Sequence, residues 1–253
     1  MASANAIRKH IVEELRAARD TNKVPHRTTV VVGAGIHGVE AICAARELAL
    51  ELCERNYLFP YEVEHVLIDG HAVPDPVPER AKPRLVRLLE HHGIEWYAKH
   101  PVRFTSESVM LGDRELETNT IIWTATPKGN RLFRDLDLPI DGRGFLVVDE
   151  HLQANTWLLA IGQSIAAVGK TTLGNRSGDA LIEEGYAAAR TIIAGTHKQV
   201  LPHYQPHVDA VTNVAIDKRH GLAWCGPFTW YGRFPRTWRA YAERRVARRA
   251  QKA

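Results

Sequence analysis

Gly33-Ala34-Gly35-Ile36-His37-Gly38 fits the pattern G-x-G-x-x-G. It directly follows the β-branched run Thr28 to Val32 and opens an apolar-rich stretch, Ile36 to Cys53, with acids at Glu47, Glu51 and Glu54. That order predicts strand, glycine turn, helix. The first glycine permits the tight turn, the second lets backbone approach a diphosphate, and the third brings the helix against the strand. The helix N-terminus contributes N–H donors and a partial positive charge. Gly33, Ala34, Gly35, Ile36, His37 and Gly38 are therefore candidate phosphate-binding residues.

A second strand, Val63 to Asp69, is interrupted by His65 and ends on a carboxylate. There Asp69 can accept both hydroxyls of a ribose and would repel a 2′-phosphate, so the expected ligand is NADH rather than NADPH. Asp69 lies 31 residues after Gly38, beyond the roughly 20 residues usual between fingerprint and acid. The extra length falls in Arg55 to Tyr61. Two plainer readings stay open: a tight β-α turn with no ligand, and an Asp69 that is a solvated turn residue before Gly70.

Along the rest of the chain, residues 5 to 19 place Ile7, Ile11, Leu15 and Ala18 at helical spacing. Pro78 and Glu79 open a further helix running through Leu85, Leu88 and Leu89 to Gly93. Short strands are expected at Ile94 to Tyr97, Val102 to Phe104, Ser108 to Leu111 and Thr120 to Thr124, with Gly112-Asp113 as a hairpin turn. A Pro-, Gly- and Asp-rich stretch, Pro127 to Arg143, marks a boundary. Beyond it come Phe145 to Val148, Trp157 to Ile161 and a helix from Ser177 to Ala194.

Charge divides the chain. From Lys218 onward there are ten basic residues and one acid, Glu243, so this end carries +9 of a total of +4 and residues 1 to 217 sum to −5. The same end interleaves arginines with Trp224, Phe228, Trp230, Tyr231, Phe234, Trp238 and Tyr241. Aromatic rings and arginines together suit an anionic membrane surface; a nucleic-acid tail and a solvated basic end rank equally below that reading. No run approaches the ~18 to 20 apolar residues of a membrane-spanning helix, and no signal core opens the chain. Cys43, Cys53 and Cys225 form no disulfide framework or Cys-x-x-Cys pair. The histidines lack company at metal-ligand spacing, so no metal is expected.

Thr28 to Glu40, Val66 to Asp69, Ile121-Ile122-Trp123-Thr124-Ala125, Gly142 to Asp149 and Leu158-Leu159-Ala160-Ile161-Gly162 together resemble the pyridine nucleotide-disulphide oxidoreductase family, most of all its type II NADH dehydrogenase branch. The resemblance covers roughly residues 6 to 195. It implies a Rossmann-type, doubly wound NAD(P)-binding domain, then the C-terminal half of a FAD-binding domain, in an α/β chain ending in a basic aromatic tail. The expected divisions are 1–27 for the opening helix, 28–126 for the NAD-binding domain, 127–200 for the partial FAD-type domain and 201–253 for the tail.

By the same resemblance Glu40 lies near the nicotinamide carboxamide, with a helix-surface glutamate as the alternative from spacing alone. Asp69 takes the place of the ribose-binding acid. Ala125 and Thr126 lie in the loop that closes over the dinucleotide, where the family usually has glycine at the position of Thr126. Gly162 and Gln163 are the flavin half-site, with Gln163 in place of the family's aspartate. The helix capped by Ser177 and running through Leu181, Ile182 and Tyr186 points its N-terminus toward a flavin and, through Glu184-Gly185, toward the quinone side by the same resemblance; core packing and capping is the favoured alternative. A separate flavin fingerprint is expected before the NAD domain, and no residues before Thr28 can supply it. FAD is thus expected only with a second chain supplying the flavin-binding half; the alternatives are a homodimer, or a truncated descendant or misplaced start that has repacked. The strand Trp157 to Ile161 is expected to pair in parallel beside the missing first strand.

The expected activity is hydride transfer from NADH to flavin and onward to quinone, on the cytoplasmic side of a membrane, with no protein side chain as acid or base. The competing expectation is a non-catalytic dinucleotide-binding or interaction protein derived from that family.

Overall fold

The structure, a computed structural model, describes residues 4–21, 27–56, 59, 62–70, 77–98, 103–125, 128–169, 171–173, 178–206 and 212–251. The chain divides into two units, Met1–Thr126 with Val211–Arg239, and Pro127–Ala210 with Ala240–Ala253. The expected positions Ser177, Val102 and Thr126, and residues 57, 58, 60 and 61 of the Arg55 to Tyr61 stretch, lie outside the described residues.

The first unit is built on a parallel sheet. Its strands β1 (Thr28–Val32), β2 (Glu64–Asp69), β3 (Ile94–Ala98) and β7 (Thr120–Trp123) run in the order β3-β2-β1-β7. Val30 pairs with Val66 on one side and with Ile121 on the other. All five residues of β1 are buried, as expected of a parallel strand covered on both faces. Side chains alternate across a strand, so Val31 and Leu67 face one way, packing with Val39, Ile42, Leu85 and Leu89 of helices α2 (Ile36–Asn56) and α3 (Lys82–His91). Val30, Val32, Val66 and Ile68 face the other way, against Val109, Leu111 and Leu116.

Those last residues belong to a small antiparallel sheet, β4 (Arg103–Phe104), β5 (Ser108–Leu111) and β6 (Arg114–Glu117). The Gly112-Asp113 turn is present, but it joins β5 to β6, with Leu111 opposite Arg114. The charged sequence Arg-Glu-Leu-Glu concealed β6, because only Leu116 of the four is buried. Helix α3 begins at Lys82, four residues later than Pro78 suggested, since Pro78 accepts from Ala81 and Lys82 in a preceding turn. Outermost, α1 (Ala4–Thr21) lays Ile11, Leu15 and Ala18 on Ala45, Leu48, Ala49 and Cys53 of α2.

The C-terminal segment does not stand apart. Strands β13 (Thr212–Ala215), β14 (Gly221–Cys225) and β15 (Phe228–Gly232) form an antiparallel meander. Val214, Leu222 and Trp224 of this meander enter the same core as α2 and α3. Helix α6 (Arg233–Ala250) follows, divided between the units after Arg239. Acids on α2 receive the segment: Glu40 accepts from Ala215 N and Arg239, Glu47 from Lys218 N, and Glu51 pairs with Lys218 Nζ at 3.0 Å. Positions 40, 47 and 51 share one helix face.

In the second unit α4 (Arg131–Asp135), β8 (Leu146–Val148), β9 (Gln153–Asn155), β10 (Leu158–Leu159), β11 (Ile165–Val168), β12 (Thr171–Thr172) and α5 (Gly178–Thr196) surround a core containing Leu146, Leu152, Ile165, Ala187 and Ala188. The expected parallel pairing of Trp157 to Ile161 is not what forms. Leu158 and Leu159 pair antiparallel with β9, and the parallel pair is β8 with β11. The reversal at Trp157 is only two residues beyond β9, too short for anything but an antiparallel return.

Candidate functional site

In the first unit, the ends of β1, β2 and β7 converge. The backbone turns at Gly33, whose φ of +104° lies in a region that side chains rarely adopt. Gly33 N donates to Ile68 O at 2.7 Å, tying the turn to β2. From the other side a Cβ on Gly33 would lie 2.5 Å from Ala125 N, so the chain leaving β7 lies directly against the turn. The third glycine is equally constrained: a Cβ on Gly38 would lie 1.7 Å from Gly33 O. Helix and strand meet there backbone to backbone, as the fingerprint requires.

Thr124 locks this junction, its hydroxyl directed at Val32 O (3.0 Å) and Gly33 O (2.8 Å) while its N–H donates to Val32 O. Asp69 completes it. Its Oδ2 accepts the Ala34 N–H at 2.5 Å, so the acid at the end of β2 touches the glycine turn itself. Ile36 and Ala34 are buried in the core, and His37 is exposed. The first N–H groups of α2 have no acceptors within the helix. Gly33, Ala34, Gly35, Ile36, His37, Gly38, Asp69 and Ala125 are thus gathered at one place, where the strand order turns from β2 to β7 about β1. In open α/β sheets ligands bind at such a point. The arrangement fits a dinucleotide: a glycine turn, a helix N-terminus and a carboxylate joined to the turn through the Ala34 N–H.

Glu40 is engaged by the protein. Arg239 meets it fork to fork, Nη1 to Oε1 and Nη2 to Oε2, both at 2.8 Å, and Ala215 N donates to Oε1 at 2.9 Å. Neither the ion pair nor the hydroxyl of Thr124 was legible in the sequence. Arg239 is one of many arginines in the tail, and Thr124 one of many threonines. Cys43, on the inner face of α2, has its thiol pushed up to about 12, chiefly by burial, which keeps it protonated and inert. Among the described residues no His, Cys, Asp or Glu cluster could hold a metal.

In the second unit Gly162 and Gln163 form a 3-10 turn, Gly162–Ser164, with Gly162 at φ +75°. Gly162 N donates to Oε2 of Glu184 at 2.7 Å. Glu184 is fully buried on α5, a burial that nothing in the sequence marks. Gln163 is exposed. The first turn of α5 is covered by α6: a Cβ on Gly178 would lie 2.5 Å from a methyl of Val246, and Asp179 is held by Arg245 and Arg249. Those two guanidiniums hold the Asp179 carboxyl below its usual range against the opposing effect of burial. With α6 against that helix end and the Gly162 N–H already committed, these residues do not fit a flavin seated on α5.

Residues 1–179 match the family model described as pyridine nucleotide-disulphide oxidoreductase. The NADH dehydrogenase-like protein YutJ of Bacillus subtilis is 30% identical over 132 residues, 51% of this chain and 34% of the relative. A type II NADH:quinone oxidoreductase of Staphylococcus saprophyticus is 24% identical over 143 residues, 53% of this chain and 35% of the relative. The aligned stretches thus span about a third of each of these relatives. In fold, the chain is similar to NDH2 from Plasmodium falciparum in complex with NADH, with a TM-score of 0.70 and 14% identity over 91% of this chain and 65% of that one. It is also similar to reduced Bacillus anthracis CoADR-RHD, with a TM-score of 0.58 and 17% identity over 85% of this chain and 36% of that one.

Proposed function

The chain belongs to the pyridine nucleotide-disulphide oxidoreductase family, and on that premise we propose that it binds NADH in its first unit as a component of a type II NADH dehydrogenase-like oxidoreductase. The observation that carries this reading is the Gly33 turn, packed against Ala125 and joined to Asp69 through the Ala34 N–H. Gly33, Gly35 and Gly38 admit the diphosphate beside the α2 N-terminus, and Asp69 takes the adenosine ribose and disfavours a 2′-phosphate. Ala125, against the Gly33 turn, borders the bound dinucleotide. Glu40 stands on the nicotinamide side, its carboxylate fixed by Arg239 and the Ala215 N–H.

In this reading the protein binds and orients the nicotinamide, and no side chain acts as acid or base. A flavin and electron delivery to a quinone belong, in this reading, to an assembly in which a second, different chain supplies the flavin-holding residues. Cytoplasmic placement at a membrane face rests on the exposed Phe228, Trp230, Phe234 and Trp238 beside the tail arginines. Among the described residues no helix is long and apolar enough to cross a membrane.

The covered end of α5 favours a second reading, a dinucleotide-binding protein without a flavin or a turnover of its own. Calorimetric titration with NADH tests the shared premise: a dissociation constant below about 1 mM is expected, and no heat at millimolar NADH overturns it. A flavin spectrum on addition of the partner, with NADH oxidation, separates the two readings.

A further inference from the structure

Glu40 is the fifth residue of α2, about one turn inside the helix end proposed to receive the diphosphate. An ionised carboxylate there opposes an anionic ligand and partly cancels the favourable helix N-terminus. In this protein that charge is answered from 199 residues away. Arg239 grips both oxygens of Glu40, and its Nη1 is itself fixed on Asn213 O at 3.0 Å and Asn213 Oδ1 at 3.2 Å. The side chains are only 24% and 17% exposed. A bidentate, part-buried pair of this kind is screened less than a surface pair and holds a single geometry.

Nearby on α2, Glu47 is occupied by Lys218 N, and Glu51 by Lys218 Nζ and Arg55. Each of these acids therefore meets a donor, but only Glu40 lies within a turn or so of the nucleotide site. Arg239 is also the last residue of the first unit.

We infer that Arg239 is a positioning residue of the dinucleotide site: by neutralising and immobilising Glu40 it lets the α2 N-terminus present a positive potential to the diphosphate. The inference rests on the NADH reading above. It predicts an effect on any ligand sharing that diphosphate, so ADP-ribose, which lacks the nicotinamide, responds as NADH does. A purely architectural pair predicts no rescue by charge.

The test titrates the full chain with NADH and with ADP-ribose, by tryptophan fluorescence, at about 50 mM and about 500 mM salt. Arg239→Ala is expected to weaken both ligands about fivefold at low salt and less at high salt. Arg239→Lys keeps most of the affinity, and adding Glu40→Gln to Arg239→Ala restores it to within about twofold. Wild-type affinity in Arg239→Ala overturns the inference, and so does a folded double variant as weak as the single one. If Arg239→Ala does not fold, Glu40→Gln alone decides: with Arg239 retained it should tighten both ligands, and unchanged or weaker binding overturns the inference. A wild-type chain that binds neither ligand overturns the NADH reading itself, whereas wild-type binding with indifferent variants removes only the role of Arg239.

Discussion

The Asp69 carboxylate accepts the backbone N–H of Ala34 at 2.5 Å, joining the last residue of one strand to the turn that ends its neighbour. The acid proposed for the ribose thus also helps to shape the phosphate turn. Asp69→Asn keeps an acceptor for Ala34 but loses the charge. Its preference for NADH over NADPH should narrow by about tenfold, measured as the ratio of the two dissociation constants. An unchanged ratio would mean that Asp69 does not face the 2′ position.

Gly38 has no room for a methyl group, because Gly33 O occupies its place. Gly38→Ala should lower stability by about 1–3 kcal/mol in urea titration, and it should weaken NADH binding because the displaced atom belongs to the turn. A neutral result in both measurements would contradict the close approach of α2 to β1.

His65 is buried in β2, and burial, with a smaller contribution from Arg46, pushes its pKa down to about 4. Because the folded value lies below the ordinary 6.5, the neutral ring stabilises the fold above about pH 6.5. That stability is lost as pH falls toward 4. The full effect approaches about 3 kcal/mol. His92 is shifted in the same direction, mainly by burial. His65→Val should flatten the stability profile between pH 6.5 and 4, read from urea midpoints, without abolishing the part due to His92.

Glu184 lies buried beneath Gly162 and accepts its N–H. Glu184→Ala leaves that donor without the carboxylate and opens a cavity, costing about 2–4 kcal/mol. Glu184→Gln retains an acceptor oxygen and should cost less. Thermal melts of the two variants give the order; equal losses would argue against the hydrogen bond as the cause.

Phe234 and Trp238 are exposed one turn apart on α6, 72% and 46% accessible, among arginines. Co-sedimentation with vesicles containing anionic lipid should fall about tenfold in Phe234→Ser/Trp238→Ser. Equal sedimentation of wild type and variant would remove these two rings from the proposed membrane face.

The glycine turn and the acid beside it were legible because their parts are local. The turn at Gly33, the helix after it and the strand ending at Asp69 each depend on residues within a short window, and backbone sterics and period-2 burial act over that range. The strand β6 and the pairing of Leu158 and Leu159 were not legible in this way. In one case a single buried leucine among charges left no alternation to read, and in the other the partner strand is set by a short return. The packing of the C-terminal segment was not legible for a related reason: among arginines and aromatics that suit a membrane surface, nothing marks Val214, Leu222 and Trp224 as completing the core over α2.

What the amino-acid order determined unaided was therefore the β-α-β frame and the place of its glycine turn, since both follow from steric rules acting along the chain. Tertiary structure alone decided which charges meet. Glu40 and Arg239 are 199 residues apart, Asp179 and Arg249 are 70 apart, and nothing in either neighbourhood names the partner. Coulomb attraction depends on distance in space, which is settled only when the C-terminal meander closes on α2 and, separately, when α6 closes on α5.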